Sequence, residues 1–294
     1  MFNIPILLIT FNRPDYVMQS LGEIRKQQPE KLYVFQDGPR AGNENDVVKG
    51  VEVRDVVKNM VDWPCELHTN YQEKNLGCGM GPYSAISWLF ENEERGIIIE
   101  DDVVAHPLFF SFCKELLERY DDQRFGMITG HNFSRRYSKH DTYYFTNRMN
   151  GTWGWATWRD VWQGFDFNIK YDRDLLEQKF KETGMLKPFR ERSHKMYKKW
   201  LEEDRHSYWD FQFIYYLIIK GFLNARPNSC LTSHVGITTD GTHDFTNDSR
   251  FLMEVNEDLF KVIKHPKKIK IAWFEKKAMY IKSLKMYIKG LLHK

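Results

Sequence analysis

An apolar strand that runs directly into three carboxylates is the feature that most constrains this chain. Gly96-Ile97-Ile98-Ile99 has the β-branched pattern of a buried central strand, and Glu100, Asp101 and Asp102 follow it without a break. Because side chains alternate along a strand, we expect Glu100 and Asp102 to share one face and Asp101 to point the other way. Adjacent acids repel one another, and oxygen ligands suit Mg²⁺ or Mn²⁺. The stretch therefore predicts a divalent-metal site served by at most two of these carboxylates, with a solvated acidic turn as the alternative.

Strands and helices alternate in the first half of the chain. Residues 5–10 and 31–36 have the pattern of buried strands, and Val17, Leu21 and Ile24 mark the buried stripe of a helix between them. Helix-length crossovers imply parallel pairing, and open parallel sheets bind ligands at the carboxyl ends of their strands. Four polar side chains are therefore expected at one edge of the sheet: Thr10, Arg13, Asp37 and Asp102.

A glycine-rich segment at residues 74–82 precedes a helical pattern that starts at Tyr83. Glycines at the start of a helix can present backbone N–H groups to a phosphate. The spacing matches neither the Walker loop nor the dinucleotide fingerprint, so a plain flexible turn remains an equal alternative.

The second half of the chain is aromatic and irregular. Residues 150–158 place tryptophans beside glycines, which suits stacking on sugars, although core packing is the commoner role of Trp. Asp210 lies in an aromatic stretch and is either a helix N-cap or a base with a raised pKa. His234 and His243 lie in a polar loop, as metal ligands or as ordinary surface residues.

Charge is distributed unevenly. Residues 264–294 carry ten lysines and one glutamate, a net charge of +9. Because the net charge of the whole chain is +3, residues 1–263 carry a net charge of −6. A basic tail on an acidic body favours an anionic lipid surface and argues against a nucleic-acid partner. Seven apolar residues of this tail fall on one helical stripe with lysines between them: Phe274, Ala278, Ile281, Leu284, Ile288, Leu291 and Leu292. This pattern predicts an amphipathic helix at a membrane interface, with a helix packed on the body as the alternative.

The remaining composition indicates a cytoplasmic globular protein. No segment offers the roughly 18 uncharged apolar residues of a membrane span, and a strand-like run begins directly after Met1. The 4 cysteines are widely spaced and form no CxxC pair, which argues against a zinc site or a disulfide scaffold.

Taken together, these motifs resemble those of a GT-A glycosyltransferase, and more narrowly of the inverting β-1,2-N-acetylglucosaminyltransferase I type, whose metal motif is Glu-Asp-Asp. The resemblance extends over most of residues 4–245. It is carried by the order of the first strand and Arg13, Gln36-Asp37, Ile99 to Asp102 with Pro107 to Phe110, Gly154-Trp155, Trp209-Asp210, Arg226-Pro227 and Thr242-His243. The chain departs from the Golgi enzymes in lacking their membrane anchor, and it matches them only loosely between Pro227 and Phe245. It looks like a bacterial cytoplasmic relative.

The resemblance implies a fold and a division of the chain. The fold is an α/β, Rossmann-like GT-A fold with a mostly parallel sheet, helices on both faces, an aromatic-rich acceptor side and a basic C-terminal helix. Residues 1–130 would form the nucleotide-sugar-binding half. Residues 131–262 would form the acceptor side with the catalytic base and a flexible loop, and residues 263–294 the basic tail.

The resemblance also implies roles for individual residues. Asp102 would bind Mn²⁺ or Mg²⁺, Asp210 would be the general base, and the loop Gly236 to Phe245 would close over the donor. Contacts to the donor, a UDP-sugar, are implied for Thr10, Arg13, Asp37, Lys74 and Asp101. Contacts to the sugar or acceptor are implied for Glu100, Trp153, Trp209 and His243.

The activity implied is metal-dependent, inverting transfer of a sugar to a hydroxyl of a glycan or lipid-linked glycan, in surface polysaccharide assembly at the inner face of the cytoplasmic membrane. A sugar nucleotidyltransferase would share the sheet and the metal, but usually has a glycine-rich signature after the first strand, and Thr10 to Pro14 contains no glycine. A non-catalytic carbohydrate-binding or membrane-associated protein would explain the tryptophans and the tail, and would leave the carboxylates unexplained.

Overall fold

A computed structural model of the chain describes residues 1–122, 124–133, 137–147, 151–203, 208–236 and 254–292. The strands are β1 (Ile6–Thr10), β2 (Lys31–Gln36), β3 (Glu66–Tyr71), β4 (Arg95–Glu100), β5 (Val103–Ala105), β6 (Phe125–Thr129), β7 (Tyr143–Thr146), β8 (Trp155–Trp158), β9 (Leu223–Pro227) and β10 (Thr232–His234). The helices are α1 (Pro14–Gln27), α2 (Glu44–Met60), α3 (Gly77–Asn92), α4 (Pro107–Arg119), α5 (Arg159–Gln163), α6 (Arg173–Glu182), α7 (Lys187–Lys198), α8 (Asp210–Lys220) and α9 (Trp273–Leu292).

Eight strands form one sheet in the order β3-β2-β1-β4-β8-β6-β9-β7. The pairs β1–β2, β1–β4, β2–β3 and β6–β9 are parallel, whereas β8 and β7 run antiparallel to their neighbours. The predicted α/β class with a mostly parallel sheet is therefore confirmed. The chain builds outward from β1 to β3 and then returns to place β4 on the other side of β1. Ligands of open α/β sheets bind at such a switch point, beyond the carboxyl ends of the two strands.

The middle of the sheet is buried on both faces. Every residue of β1 is buried, so layers cover both sides of the sheet at this point. Val17, Leu21 and Ile24 of α1 are fully buried, which confirms the predicted stripe. The burial of β1 and β4 fixes the positions of Thr10 and Glu100, which end these strands at the switch point.

A short antiparallel ribbon joins distant parts of the chain. In it β10 pairs with β5, with His234 opposite Val103 and Thr232 opposite Ala105. The Val235 N–H donates to the carbonyl oxygen of Asp102 at 2.8 Å. The ribbon therefore brings His234 beside the turn that follows β4, across more than a hundred residues of sequence.

The boundaries differ from the predicted ones in two informative places. Helix α3 begins at Gly77 rather than at Tyr83, so the glycine-rich segment forms the first turns of the helix. Strand β4 ends at Glu100, and Asp101 and Asp102 form a turn. The division into residues 1–130, 131–262 and 263–294 stays a prediction, and strands from the first two segments join the same sheet.

Candidate active site

A cavity of about 710 Å³ opens at the switch point between β1 and β4. Eight residues that the sequence assigned to a site line it: Thr10, Arg13, Asp37, Glu100, Asp101, Asp102, Trp153 and Trp209. Lys74 is exposed and lies outside this lining. His243 and most of the predicted lid, residues 237–245, lie outside the described residues, although Gly236 lines the cavity. Residues far apart in sequence thus meet in one place.

The carboxylate turn, Glu100 to Asp102, does not follow strand alternation. Asp101 was expected to point away from its neighbours, and this prediction is wrong because the strand ends at Glu100. Asp101 and Asp102 both pair with Arg13: the Arg13 Nε lies 3.4 Å from Asp101 Oδ2, and Arg13 Nη1 lies 2.9 Å from Asp102 Oδ2. The Phe11 N–H also donates to Asp101 Oδ2, at 3.3 Å. One guanidinium therefore faces two carboxylates.

The charges of the turn raise the pKa values of its acids. Burial, and then the charges of Asp102, Asp101 and Asp210, raise the pKa of Glu100 to about 8. Burial also raises the pKa of Asp101 to about 6, against the opposing effect of Arg13. Burial disfavours the charge on Arg13, but the two aspartates outweigh it, and the Arg13 pKa is raised. The cavity thus holds more negative charge than one arginine neutralises, which favours an added cation.

Asp102 has the features of a cation ligand. Its Oδ1 atom is buried and has no hydrogen-bond partner among the described residues, and its Oδ2 atom lies 3.6 Å from His234 Nε2. In the described part of the chain, no group of three or more His, Cys, Asp or Glu side chains is arranged to hold a metal ion by itself. Mg²⁺ is often held by one or two carboxylates together with substrate phosphates and water. Asp102 fits such an incomplete protein shell.

Asp37 supports the cavity wall. Its Oδ1 atom accepts the N–H groups of Gly38 and Leu76, both at 2.8 Å, and its Oδ2 atom accepts the Gly77 N–H at 3.0 Å and Asn75 Nδ2 at 3.1 Å. Burial raises the Asp37 pKa, although these N–H groups act in the opposite direction. Two backbone donors at the start of α3 are thus engaged by Asp37, which weakens the phosphate-binding interpretation of the glycine-rich segment. A carboxylate at this helix N-terminus also interacts favourably with the helix dipole, which explains why α3 begins before the predicted position.

A second acid organises the rim of the cavity and was missed in the sequence. Asp46 in the first turn of α2 accepts Arg40 Nε at 2.6 Å and Asn12 Nδ2 at 2.7 Å. Arg40 in turn lies over the Phe11 ring, 5.5 Å from its centroid. The hydrogen bonds from Arg40 lower the pKa of Asp46 to about 2. Because Asn12 and Arg40 line the cavity, Asp46 shapes it without lining it.

The aromatic wall contains a small part of the tryptophan-rich segment. Trp153 lines the cavity half-buried, with its ring centroid 4.5 Å from that of His234. Trp155 and Trp158 are buried in the core, as the packing alternative predicted. Trp209 lines the cavity and stacks on Trp155 at 5.6 Å between ring centroids. Trp153 and Trp209 are therefore the two indoles that line the cavity, and only 5% of the Trp209 surface is exposed.

Asp210 is the first residue of α8, directly after Trp209. The N-cap position belongs to Trp209, so the interpretation of Asp210 as the N-cap is wrong. The Asp210 carboxylate is half-buried and near enough to Glu100 to raise its pKa. A carboxylate in the first turn of a helix is favoured in its charged form. Asp210 and Glu100 are therefore close enough for a charge on Asp210 to disfavour a charge on Glu100.

His234 and Thr10 complete the description of the site. His234 lies beside Asp102 because β10 pairs with β5. The residues around His234 form a polar stretch after a predicted turn, and this pattern did not predict the pairing. The Thr10 hydroxyl donates to the Phe35 carbonyl at 3.0 Å, so Thr10 ties β1 to β2 at the cavity floor.

No protein-family model and no curated protein sequence matches the chain. Among solved structures, the chain is similar to UDP-glucose pyrophosphorylase complexed with UDP-glucose, at 10% identity and a TM-score of 0.37, over 55% of this chain and 78% of that one. It is also similar to the inositol-1-phosphate CTP transferase from T. maritima, at 10% identity and a TM-score of 0.31, over 55% of this chain and 74% of that one. A cytidylyltransferase from Leptospira borgpetersenii serovar Hardjo-bovis has 12% identity and a TM-score of 0.31, over 55% of this chain and 63% of that one.

These similarities are too low to argue about activity. All three proteins are nucleotidyltransferases by name, and the narrower resemblance to the β-1,2-N-acetylglucosaminyltransferase I type is not confirmed. The α/β architecture rests on the sheet order of the chain itself.

Proposed function

We propose that the chain is a metal-dependent inverting glycosyltransferase that moves a sugar from a UDP-linked donor to a hydroxyl of a glycan or glycolipid. The observation that carries this proposal is the meeting of the carboxylate turn with Trp153 and Trp209 in one cavity. Asp210 lies outside the lining of this cavity, but near enough to Glu100 for its charge to raise the Glu100 pKa. Carboxylates bind cations and sugar hydroxyls, and indole faces suit the apolar face of a sugar ring. The position at the sheet's switch point is where α/β proteins bind nucleotides.

Binding of the donor is assigned to residues at both ends of the cavity. Asp102 would hold Mn²⁺ or Mg²⁺, with His234 beside it, and Arg13 holds the Asp102 carboxylate in place. A bound divalent ion would offset the negative charge that builds on the departing diphosphate. The rim held by Asp46, with Arg40 over Phe11, offers a cationic and aromatic surface to a nucleotide base.

Proton transfer is assigned to Asp210. It would take the proton from the acceptor hydroxyl as that oxygen forms a bond to the anomeric carbon. The bond from this carbon to the diphosphate oxygen breaks, its electron pair leaves with the nucleoside diphosphate, and the anomeric configuration inverts. Burial raises the pKa of Glu100, so a protonated Glu100 can donate a hydrogen bond to a sugar hydroxyl, and the role of base is assigned to Asp210. A positioned base contributes about 10²- to 10⁴-fold in rate.

Nucleotidyl transfer in the same cavity is the second candidate, and by name the similar solved structures are nearer to it. That reaction requires a nucleoside triphosphate to be held after β1. In this chain Arg13 follows β1 and its guanidinium pairs with Asp101 and Asp102, and Asp37 engages the Leu76 and Gly77 N–H groups. These contacts leave fewer donors for a triphosphate, and glycosyl transfer is therefore the main proposal.

Calorimetric titration of UDP and UDP-sugars, with Mn²⁺ and then with EDTA, tests the donor site. We expect metal-dependent binding that Asp102→Ala abolishes and Asp210→Asn retains. The same Asp210→Asn variant should lose at least 100-fold in UDP release from the donor. Asp55→Asn, an exposed aspartate of α2, is the matched control and should change neither.

Two results would overturn the proposal. Absence of nucleotide binding under both metal conditions would leave a non-catalytic carbohydrate-binding role. Pyrophosphate release from a nucleoside triphosphate and a sugar 1-phosphate, lost in Asp102→Ala, would establish nucleotidyl transfer instead.

A further inference from the structure

Helix α9 packs on the body through one face. Glu275 and Met279 are buried, and Lys282 Nζ lies 5.5 Å from the centroid of the Phe189 ring in α7. Glu275 Oε1 lies 3.8 Å from Arg226 Nη1 in β9 and accepts the Tyr144 hydroxyl at 3.2 Å. These contacts fasten the first turns of α9 to the sheet and set its rotation about its own axis.

The opposite face of α9 is apolar and exposed. At 3.6 residues per turn, five large side chains fall on the side away from Glu275 and Met279. They are Trp273 at 70% exposure, Tyr280 at 50%, Ile281 at 41%, Leu284 at 38% and Ile288 at 48%. We call these five residues the outer stripe. A surface helix normally turns its apolar face toward the core. Here the packed face carries a buried carboxylate, and the apolar face is directed outward.

Positive charge lies both beside the outer stripe and within it, since Lys277 falls one turn after Trp273. Lys276, Lys277 and Lys285 are exposed on the same helix, and Lys277 Nζ lies 5.8 Å from the Trp273 ring centroid. No acid follows Glu275 in the sequence, and Glu275 itself is buried. The exposed part of α9 thus combines aromatic, aliphatic and basic side chains, which is the composition of helices that lie in a membrane interface.

A basic cavity lies at the start of α9. It has a volume of about 550 Å³, and six of the residues that line it are Lys139, Lys267, Lys268, Lys270, Trp273 and Phe274. Asp141 is the acid in its lining, and its Oδ2 atom accepts the Ser138 hydroxyl at 2.8 Å. Four lysines against one engaged carboxylate suit a phosphate group. Trp273 belongs both to this cavity and to the outer stripe, so the two surfaces are continuous.

We propose that the outer stripe and the basic cavity together dock the protein on an anionic phospholipid bilayer. The stripe enters the interface, and the cavity lysines contact headgroup phosphates. The positive charge favours an anionic bilayer over a second copy of the chain, because two copies would bring one lysine-rich face against another. None of the described helices is long and apolar enough to cross a membrane, so the contact is with one leaflet. The proposal does not depend on the proposed enzymatic activity.

Vesicle co-sedimentation of the full chain, without nucleotide, tests the docking surface. Vesicles of phosphatidylcholine with phosphatidylglycerol should pellet the protein at low salt, and pure phosphatidylcholine should not. The double change Leu284→Asp and Ile288→Asp should lower the partition coefficient at least tenfold. Each of Lys267→Glu and Lys268→Glu should lower it about fivefold or more, since a lysine near an anionic surface contributes about that factor.

Matched controls separate docking from folding and from general charge. Val48→Asp and Lys58→Glu change exposed residues of α2, away from α9, and should leave vesicle binding unchanged. Each variant should unfold in one cooperative transition, with a loss of at most about 1 kcal/mol per substitution from lower helix propensity and the changed charge. Equal pelleting of wild type and the double variant would overturn the proposal. So would a dimer in solution that the double variant converts to a monomer while anionic vesicles bind neither form.

Discussion

Replacing Asp46 by Asn should destabilise the protein in a way that depends on pH. The Asp46 side chain is fully buried, whereas its partner Arg40 is 58% exposed. Lowering the Asp46 pKa from 3.8 to about 2 corresponds to about 2 kcal/mol of stabilisation at neutral pH. Solvent around Arg40 screens this pair, so we expect a loss of about 1–2 kcal/mol in Asp46→Asn at pH 7.

The sign of the pH dependence follows from the direction of the shift. Asp46 gains its proton near pH 3.8 in the unfolded chain and near pH 2 in the folded one. The stabilisation is therefore complete well above pH 3.8 and is lost as the pH falls toward 2. By pH 3 about half of it should be gone. The difference between wild type and Asp46→Asn should shrink accordingly.

Urea unfolding of both proteins at pH 7, 4 and 3 measures this difference. Asp55→Asn, on the exposed side of the same helix, should show almost no change at any pH. A wild-type advantage that stays constant from pH 7 to pH 3 would refute the assignment of the effect to the Asp46 charge. Because Asp46 also holds Asn12 and Arg40 at the cavity, Asp46→Asn should weaken the binding of UDP as well.

Three further substitutions give independent tests. Arg226→Met should cost about 3–5 kcal/mol in urea unfolding, because the buried Glu275 loses its partner cation, and a second change of Glu275→Met should recover most of the loss. Gly22→Ala in α1 should raise the unfolding free energy by about 0.5–1 kcal/mol, since the added Cβ would lie 4.0 Å from Met60 and meet nothing closer; a lower stability would show that the helix is crowded there. Asp37→Ala should speed amide hydrogen exchange at Leu76 and Gly77 by at least tenfold while α1 amides stay protected, and unchanged exchange at both would show that Asp37 is not their main acceptor.

The sheet could be predicted because its signals are local. The apolar runs of β1, β2 and β4 and the stripe of α1 each report burial within a few residues of sequence, and their helix-length spacing implies parallel order. The positions of Thr10, Arg13, Asp37 and Asp102 at one edge follow from that order alone. The roles of the lining residues in binding and catalysis remain predictions.

The contacts within the site depended on features that are not local. Alternation predicted the wrong direction for Asp101, because nothing in the residues themselves marks the end of β4 at Glu100. Asp37 was expected to contact the donor, and its engagement with Leu76 and Gly77 depends on a loop about forty residues away. Of the apolar stripe predicted for α9, Ile281, Leu284 and Ile288 are exposed, whereas the Phe274 ring packs against Tyr144 with 4.8 Å between the ring centroids.

The hydrogen bond from the Val235 N–H to the Asp102 carbonyl also sets an order of events during synthesis. A ribosome that has released residues 1–130 has produced Glu100, Asp101 and Asp102, but neither the strand that pairs with β5 nor Trp209 and Asp210. The carboxylates then sit at the end of a partial sheet with little to neutralise them besides Arg13. His234 and Gly236, which complete the lining of the cavity, are synthesised later still. If the proposed donor site is correct, a nascent chain of this protein should acquire nucleotide affinity late and abruptly, after about four-fifths of the sequence has emerged.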